Sequence, residues 1–177
     1  IHLGADGRFD VHSCALRDTA WTRHASGRLV TSEAVATDAP PLPTIEQTLD
    51  AQQAGSNYYE RLETLGIQLG PAFRTIVSTR RRDGEALAEL MLPVTSVNDA
   101  VAWAHPALLD GALQAVGVAV PPSTGNDDVY LLTEIAGIVL SGPLPSRVWA
   151  HARVLPAASP RPTEWRADVT LRAADGR

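Results

Sequence analysis

Apolar and polar residues alternate along the first 36 positions in the manner of strands. Arg8-Phe9-Asp10-Val11-His12 is one such run, and the stretch from Trp21 to Val30 is a second. Asp6-Gly7 between such runs is a hairpin-turn signal. Two or three strands make a poor domain alone, so this segment is expected to complete a sheet begun before Ile1. Periodicity then lapses from Thr37 to Ser56. Ala39-Pro40-Pro41-Leu42-Pro43 is too proline-rich for a helix or a central strand, and the whole stretch reads as a connector. Tyr58, Tyr59, Leu62 and Leu65 restore a helical spacing, with Ser56 or Asn57 as the expected cap and Gly66 as the stop. Leu69-Gly70-Pro71-Ala72-Phe73 makes a turn. Phe73–Arg82 and Glu85–Leu92 then flank Asp83-Gly84, which predicts a β-hairpin. A loop follows through Pro93–Ala104. Three more strands are expected at Val129–Leu140, Arg147–Leu155 and Glu164–Ala173, separated by Gly142-Pro143 and the proline-containing stretch 156–162. Ala174-Asp175-Gly176-Arg177 reads as a further hairpin turn, so a strand is expected beyond it.

Between the hairpin and those strands lies the stretch around which the chain is organised, His105-Pro106-Ala107-Leu108-Leu109-Asp110-Gly111-Ala112-Leu113-Gln114, continuing to Val120. Proline is tolerated in the first turn of a helix, where its missing N–H has no partner to lose, so Pro106 marks a start with His105 just outside. A helix apolar on nearly all sides belongs in a core, yet Asp110 and Gln114, four residues apart, share one face. Burying a lone carboxylate in apolar surroundings raises its pKa and suits it to general-acid work. The same pair could equally bind a neighbouring loop's backbone, and residue chemistry alone leaves the two readings level.

The remaining composition narrows the function classes. The chain has 177 residues and a net charge of −5 with both signs interspersed, which offers no electrostatic footprint for nucleic acid or an acidic membrane. The basic triplet Arg80-Arg81-Arg82 fits a solvated strand end. One cysteine, Cys14, excludes an internal disulfide framework and fits a reducing compartment, so a cytoplasmic location is expected. No apolar run reaches membrane-span length. His12-Ser13-Cys14 has the wrong spacing for zinc, and His2, His12, His24 and His151 read as surface or strand positions. Walker loops, dinucleotide fingerprints and nucleophile elbows are absent from the sequence.

Several motifs, in order and spacing, resemble the dehydratase domains of polyketide synthases. His105–Gln114 resembles their HPxxxDxxxQ/H signature. Tyr59-Glu60-Arg61-Leu62, Gly66 and Gly70-Pro71-Ala72-Phe73 resemble their Y-x-x-L…G-x-x-Y-G-P-x-F stretch, and Trp21–Gly27 resembles the last strand of their first hot-dog unit. Gly137 and Leu140 keep part of their L-P-F-x-W-x-G-V-x-L strand. The resemblance implies an α+β double hot-dog fold, a long central helix wrapped by an antiparallel sheet. Residues 1–36 would be terminal strands of the first unit, 37–56 a linker and 57–177 the second unit. It also implies removal of water from a β-hydroxyacyl chain held on the phosphopantetheine of an acyl carrier protein. Asp110 takes the place of the acid. Gln114 would orient it or bind the leaving oxygen; Gly70 and Pro71 would shape the turn beside the tunnel with Phe73, and His105 with Pro106 would brace the helix start. Leu69, Leu109, Leu113, Tyr130 and Leu132 are the tunnel-lining candidates. No cofactor of its own is implied. The expected partners are the carrier protein, neighbouring synthase domains and a second copy of the chain, without nucleic acid or membrane.

Departures from the pattern matter equally. The family's base is a histidine in H-x-x-x-G-x-x-x-x-P, and that motif does not occur in these residues, so the base is expected before Ile1 and the chain alone is expected to be inactive. Leu69 stands where Y-G-P has its tyrosine, and Leu132, Thr133 and Ile135 replace the usual Pro, Phe and Trp. Ring-forming cyclases and double-bond isomerases of the same fold remain alternatives, as does an inactive carrier-binding scaffold. Retention of Asp110 weighs against an isomerase.

Overall fold

The computed structural model describes residues 1–31, 40–93, 103–121, 129–157 and 162–173. The chain divides into two compact units, Ile1–Ala36 and Thr37–Arg177. The first holds a three-stranded antiparallel sheet, β1 (His2–Leu3), β2 (Arg8–Ser13) and β3 (Thr22–Arg28), in that order. Asp6-Gly7 turns β1 into β2, with the Asp6 carboxylate accepting from the Arg8 N–H at 3.1 Å. No side chain of these three strands is fully buried, so their alternation is only partly satisfied within the unit.

The second unit is a five-stranded antiparallel sheet in the order β4 (Gln53–Ala54), β5 (Ile76–Arg82), β6 (Glu85–Met91), β7 (Arg147–Val154), β8 (Ala167–Ala173). The expected hairpin forms at Asp83-Gly84: Gly84 sits at φ +84°, a conformation that costs a side chain-bearing residue about 1–2 kcal/mol. Helix α1 spans Leu42–Thr48, α2 spans Gly55–Thr64 and α3 spans Pro106–Ala119, while Pro71–Phe73 forms one 3₁₀ turn.

Three expectations are corrected. The proline-rich connector does contain a helix, because Pro41 caps α1 and the proline after Leu42 falls in its first turn, where a missing N–H costs nothing. The end of that connector also contributes β4 to the sheet edge through Gln53↔Thr79 and Ala54↔Ser78. Helix α2 begins at Gly55 with Ala54 as its cap, so Ser56 and Asn57 lie inside it; its stop is as expected, with Gly66 at φ +81° and the Ile67 N–H reaching back to the Leu62 carbonyl at 2.9 Å. The segment 129–140 is not a strand. It runs irregularly with every residue exposed and pairs with no described strand, and an alternating pattern becomes a strand only when it pairs with a partner edge. Most of the loop at 93–104 and the turn at 174–177 lie outside the described residues.

Helix α3 lies on one face of the sheet. Ala86, Ala88 and Leu90 of β6 and Val148, Ala150 and Ala152 of β7 alternate toward it and meet Leu108, Ala112, Ala115, Val118 and Ala119. Small residues on both surfaces bring the two close. A Cβ on Gly111 would fall 2.2 Å from the Thr75 hydroxyl oxygen, so the glycine after Asp110 is what lets the helix seat against the start of β5. Full burial of a side chain such as Leu90 or Leu108 is worth about 1.5–3 kcal/mol. The β5–β6 hairpin also closes the C-terminal end of the helix. The Gly84 N–H donates to the Ala119 carbonyl at 2.9 Å and the Arg81 guanidinium to the Val118 carbonyl at 3.0 Å, placing a cation at the negative end of the helix dipole.

The opposite sheet face mixes paired polar groups with apolar side chains. Glu89, 5% exposed, accepts from Ser78 at 3.0 Å and from Arg147 at 2.6 Å. His151, also 5% exposed, lies 2.7 Å from Glu85, which Arg82 also contacts at 2.7 Å. Leu87 is fully buried between them.

Candidate active site

The site is assembled on the side of α3 turned away from the sheet. His105 caps the helix as the sequence indicates, its Nδ1 accepting from the Ala107 N–H at 3.1 Å; that bond places the proton of the neutral ring on Nε2. One turn later Asp110 is half-buried, and one further turn on so is Gln114. The Gln114 amide nitrogen donates to Asp110 Oδ2 at 2.6 Å and to the Phe73 carbonyl at 2.9 Å. Its Oε1 is buried with no hydrogen-bond partner among the described residues. Flipping the amide would turn that oxygen onto the Phe73 carbonyl, so the two acceptors fix its orientation.

The Phe73 carbonyl is itself held by a chain of contacts. Gly70 and Pro71 set the 3₁₀ turn, and Arg74 locks it from behind: its guanidinium donates to the Leu69 carbonyl at 2.9 Å and to Glu63 of α2 at 2.5 Å and stands 5.6 Å from the Tyr59 ring centre. The Tyr59 hydroxyl accepts the Ile76 N–H at 2.8 Å. Burial pushes the Tyr59 phenol up to about 12, with the Ile76 bond and Arg74 pulling the other way and Asp110 adding to the rise. Burial also raises Tyr58, assisted by Tyr59 and by the Asp110 charge. The sequence patterns do not single out Arg74, Glu63, Tyr58 or Tyr59 as site residues. Of these only Tyr59 lies inside a recognised motif.

The structure thus gathers Asp110, Gln114, the Phe73 backbone and the Gly70-Pro71 turn. Leu69, Leu109 and Leu113 are half-buried close to this group in sequence, and Leu69 packs on the core. Tyr130 and Leu132 stand apart on the exposed 129–140 segment, where Tyr130 meets the Trp165 ring edge-on at 6.3 Å between centres. Within the first unit the Ser13 hydroxyl and His24 are 2.6 Å apart. No described helix is long and apolar enough to cross a membrane.

A helix wrapped by an antiparallel sheet and bearing an oriented carboxylate on its free face is a hot-dog architecture of the double hot-dog class. The family model of the polyketide synthase dehydratase N-terminal domain matches residues 37–177, and the chain belongs to the polyketide synthase dehydratase family. It is 40% identical over 116 residues to the polyketide synthase GfsB of Streptomyces halstedii, covering 62% of this chain and 2% of that protein. It is 34% identical over 154 residues to tenellin synthetase of Beauveria bassiana, covering 83% of this chain and 3% of that one. The chain therefore spans a few per cent of the length of these relatives. Among solved structures, the dehydratase domain from the CurF module of curacin polyketide synthase superposes with a TM-score of 0.73 at 26% identity, covering 96% of this chain and 59% of that one. The RzxB dehydratase domain of Pseudomonas fluorescens, at 21% identity and a TM-score of 0.69, shares the fold over 99% of this chain and 62% of its own.

Proposed function

We propose that this chain carries the acid side of a dehydratase site, which removes water from a β-hydroxyacyl thioester on an acyl carrier protein to leave an α,β-unsaturated thioester. The observation that carries the reading is the bond from Gln114 to Asp110 Oδ2. Loss of the β-hydroxyl needs a proton delivered to the departing oxygen, because hydroxide is a poor leaving group, while a base removes the α-proton. An amide N–H on Oδ2 leaves Oδ1 as the oxygen to hold the proton for delivery. Both acceptors of the Gln114 nitrogen lie within the protein, so Gln114 acts by positioning Asp110 rather than by binding the leaving oxygen. His105 accepts the Ala107 N–H at the helix start through Nδ1, and the base of the family pattern is the histidine of H-x-x-x-G-x-x-x-x-P, a motif these residues lack. The substrate arrives on the carrier's phosphopantetheine, and the chain needs no resident cofactor for this step.

Asp110→Asn tests the assignment in the complete dehydratase domain with a β-hydroxyacyl carrier protein as substrate. The isosteric amide cannot deliver the proton, and turnover should fall by about a hundredfold or more with the thermal midpoint little changed. Normal turnover by this variant would move the acid role to another residue.

A further inference from the structure

The 3₁₀ turn Pro71–Phe73, whose last carbonyl accepts from Gln114, has no buried side chain, and the Phe73 ring is 43% exposed. Apolar packing therefore does not set where the turn sits. Its own backbone supplies two bonds, from the Phe73 N–H to the Gly70 carbonyl at 3.0 Å and from the Arg74 N–H to the Pro71 carbonyl at 3.3 Å. Both lie within the turn, so they fix its shape and not its place. Arg74 ties it outward. Its Nε proton goes to the Leu69 carbonyl and an Nη2 proton to the Glu63 carboxylate, in the last turn of α2. That helix is anchored in the core by Tyr59, 6% exposed, whose ring faces the same guanidinium and whose hydroxyl accepts the Ile76 N–H just past the turn. A planar guanidinium can aim two donors at two fixed acceptors at once, which a lysine ammonium cannot do in the same geometry.

We propose that Arg74, held by Glu63, is a positioning residue for the acid: it places the Phe73 carbonyl, that carbonyl orients the Gln114 amide, and the amide aims the Asp110 carboxylate. The inference rests on the dehydratase reading and deepens it. A misaimed acid weakens the transition state and leaves ground-state binding as it was, so the effect falls on kcat and spares KM. The Arg74 and Glu63 side chains are 39% and 47% exposed, and an ion pair so open to water adds little to stability. Its loss should register in alignment before it registers in melting.

The test is a double-mutant cycle in the complete dehydratase domain with a β-hydroxyacyl carrier protein. Arg74→Ala should lower kcat by about tenfold or more, with KM and the thermal midpoint little changed. Glu63→Ala, which frees one end of the guanidinium, should lower kcat by about two- to fivefold. In a Gln114→Ala background either change should cost less than about twofold more, because the link through which it acts is already gone. Losses that multiply in the double variants, a rise in KM at constant kcat, or unchanged kinetics would overturn the proposal. Should Arg74→Ala not fold, the cycle of Glu63→Ala with Gln114→Ala carries the same decision. Proton exchange of the Gln114 side-chain amide, read by NMR with the glutamine side-chain nitrogens labelled and assigned by its loss in Gln114→Ala, separates the two levels of inference. A parent that dehydrates nothing while this amide exchanges faster in Arg74→Ala or Glu63→Ala refutes the dehydratase reading and leaves the positioning standing. An active parent whose Gln114 amide is equally protected in those variants refutes the positioning.

Discussion

The two faces of the five-stranded sheet solve the same packing problem with opposite chemistry. Toward α3, the alternate residues Ala86, Ala88, Leu90, Val148, Ala150 and Ala152 are fully buried and carry no polar side-chain atom. On the other face, Glu85, Glu89 and His151 are withdrawn from water but matched by Arg82, Arg147 and Ser78. An apolar face gains stability from area and shape. A polar face at best recovers what desolvation costs, and its value lies in the penalty for breaking one partner away. The helix that carries Asp110 rests on the first kind of surface. Its position is therefore set by packing against that surface.

That contrast can be broken in graded ways. Leu90→Ala should cost the most, about 2–5 kcal/mol, read as a shift in the denaturant midpoint, because the cavity opens directly beneath α3. Glu89→Ala should cost less, about 1–3 kcal/mol, since Arg147 can turn into solvent while Ser78 loses its buried acceptor. Equal losses in the two variants would mean that the faces do not differ in the way described. The smallest effect is a pH dependence. Burial alone would raise the Glu85 carboxyl, but hydrogen bonds from His151 and Arg82 outweigh it and leave the group below its ordinary value of 4.5. A depressed folded-state pKa means stability fully present above the unfolded value and lost as pH falls through the folded one. Denaturant midpoints measured downward from pH 6 should therefore decline below about pH 4.5 more steeply in the parent than in Glu85→Gln. Parallel profiles would remove Glu85 from the account.

Much of this arrangement is legible in the sequence, where the signal is local. Pro106 and the apolar run behind it announce α3, Asp83-Gly84 announces the hairpin, and the four-residue spacing of Asp110 and Gln114 is enough to put them on one helix face. Proline misleads the reading of α1, because a residue that breaks a helix interior is harmless in its first turn. Alternation misleads the reading of 129–140, because a strand pattern describes one side of a partnership only. What cannot be read at all depends on distance along the chain. His151 and Glu85 are 66 residues apart, and the acceptor that fixes Gln114 is a backbone carbonyl, an atom every residue possesses.

The hairpin that caps α3 ties the order of assembly to the site. The last carbonyls of the helix find their donors in Arg81 and Gly84, so its final turn has no satisfied end until β5 and β6 have closed on each other. Helix end and hairpin thus open and close as one cooperative piece. Gly117 sits on that piece, two turns from the Asp110 carboxylate. Local breathing of the hairpin would loosen the last turn of the helix before it reached Asp110.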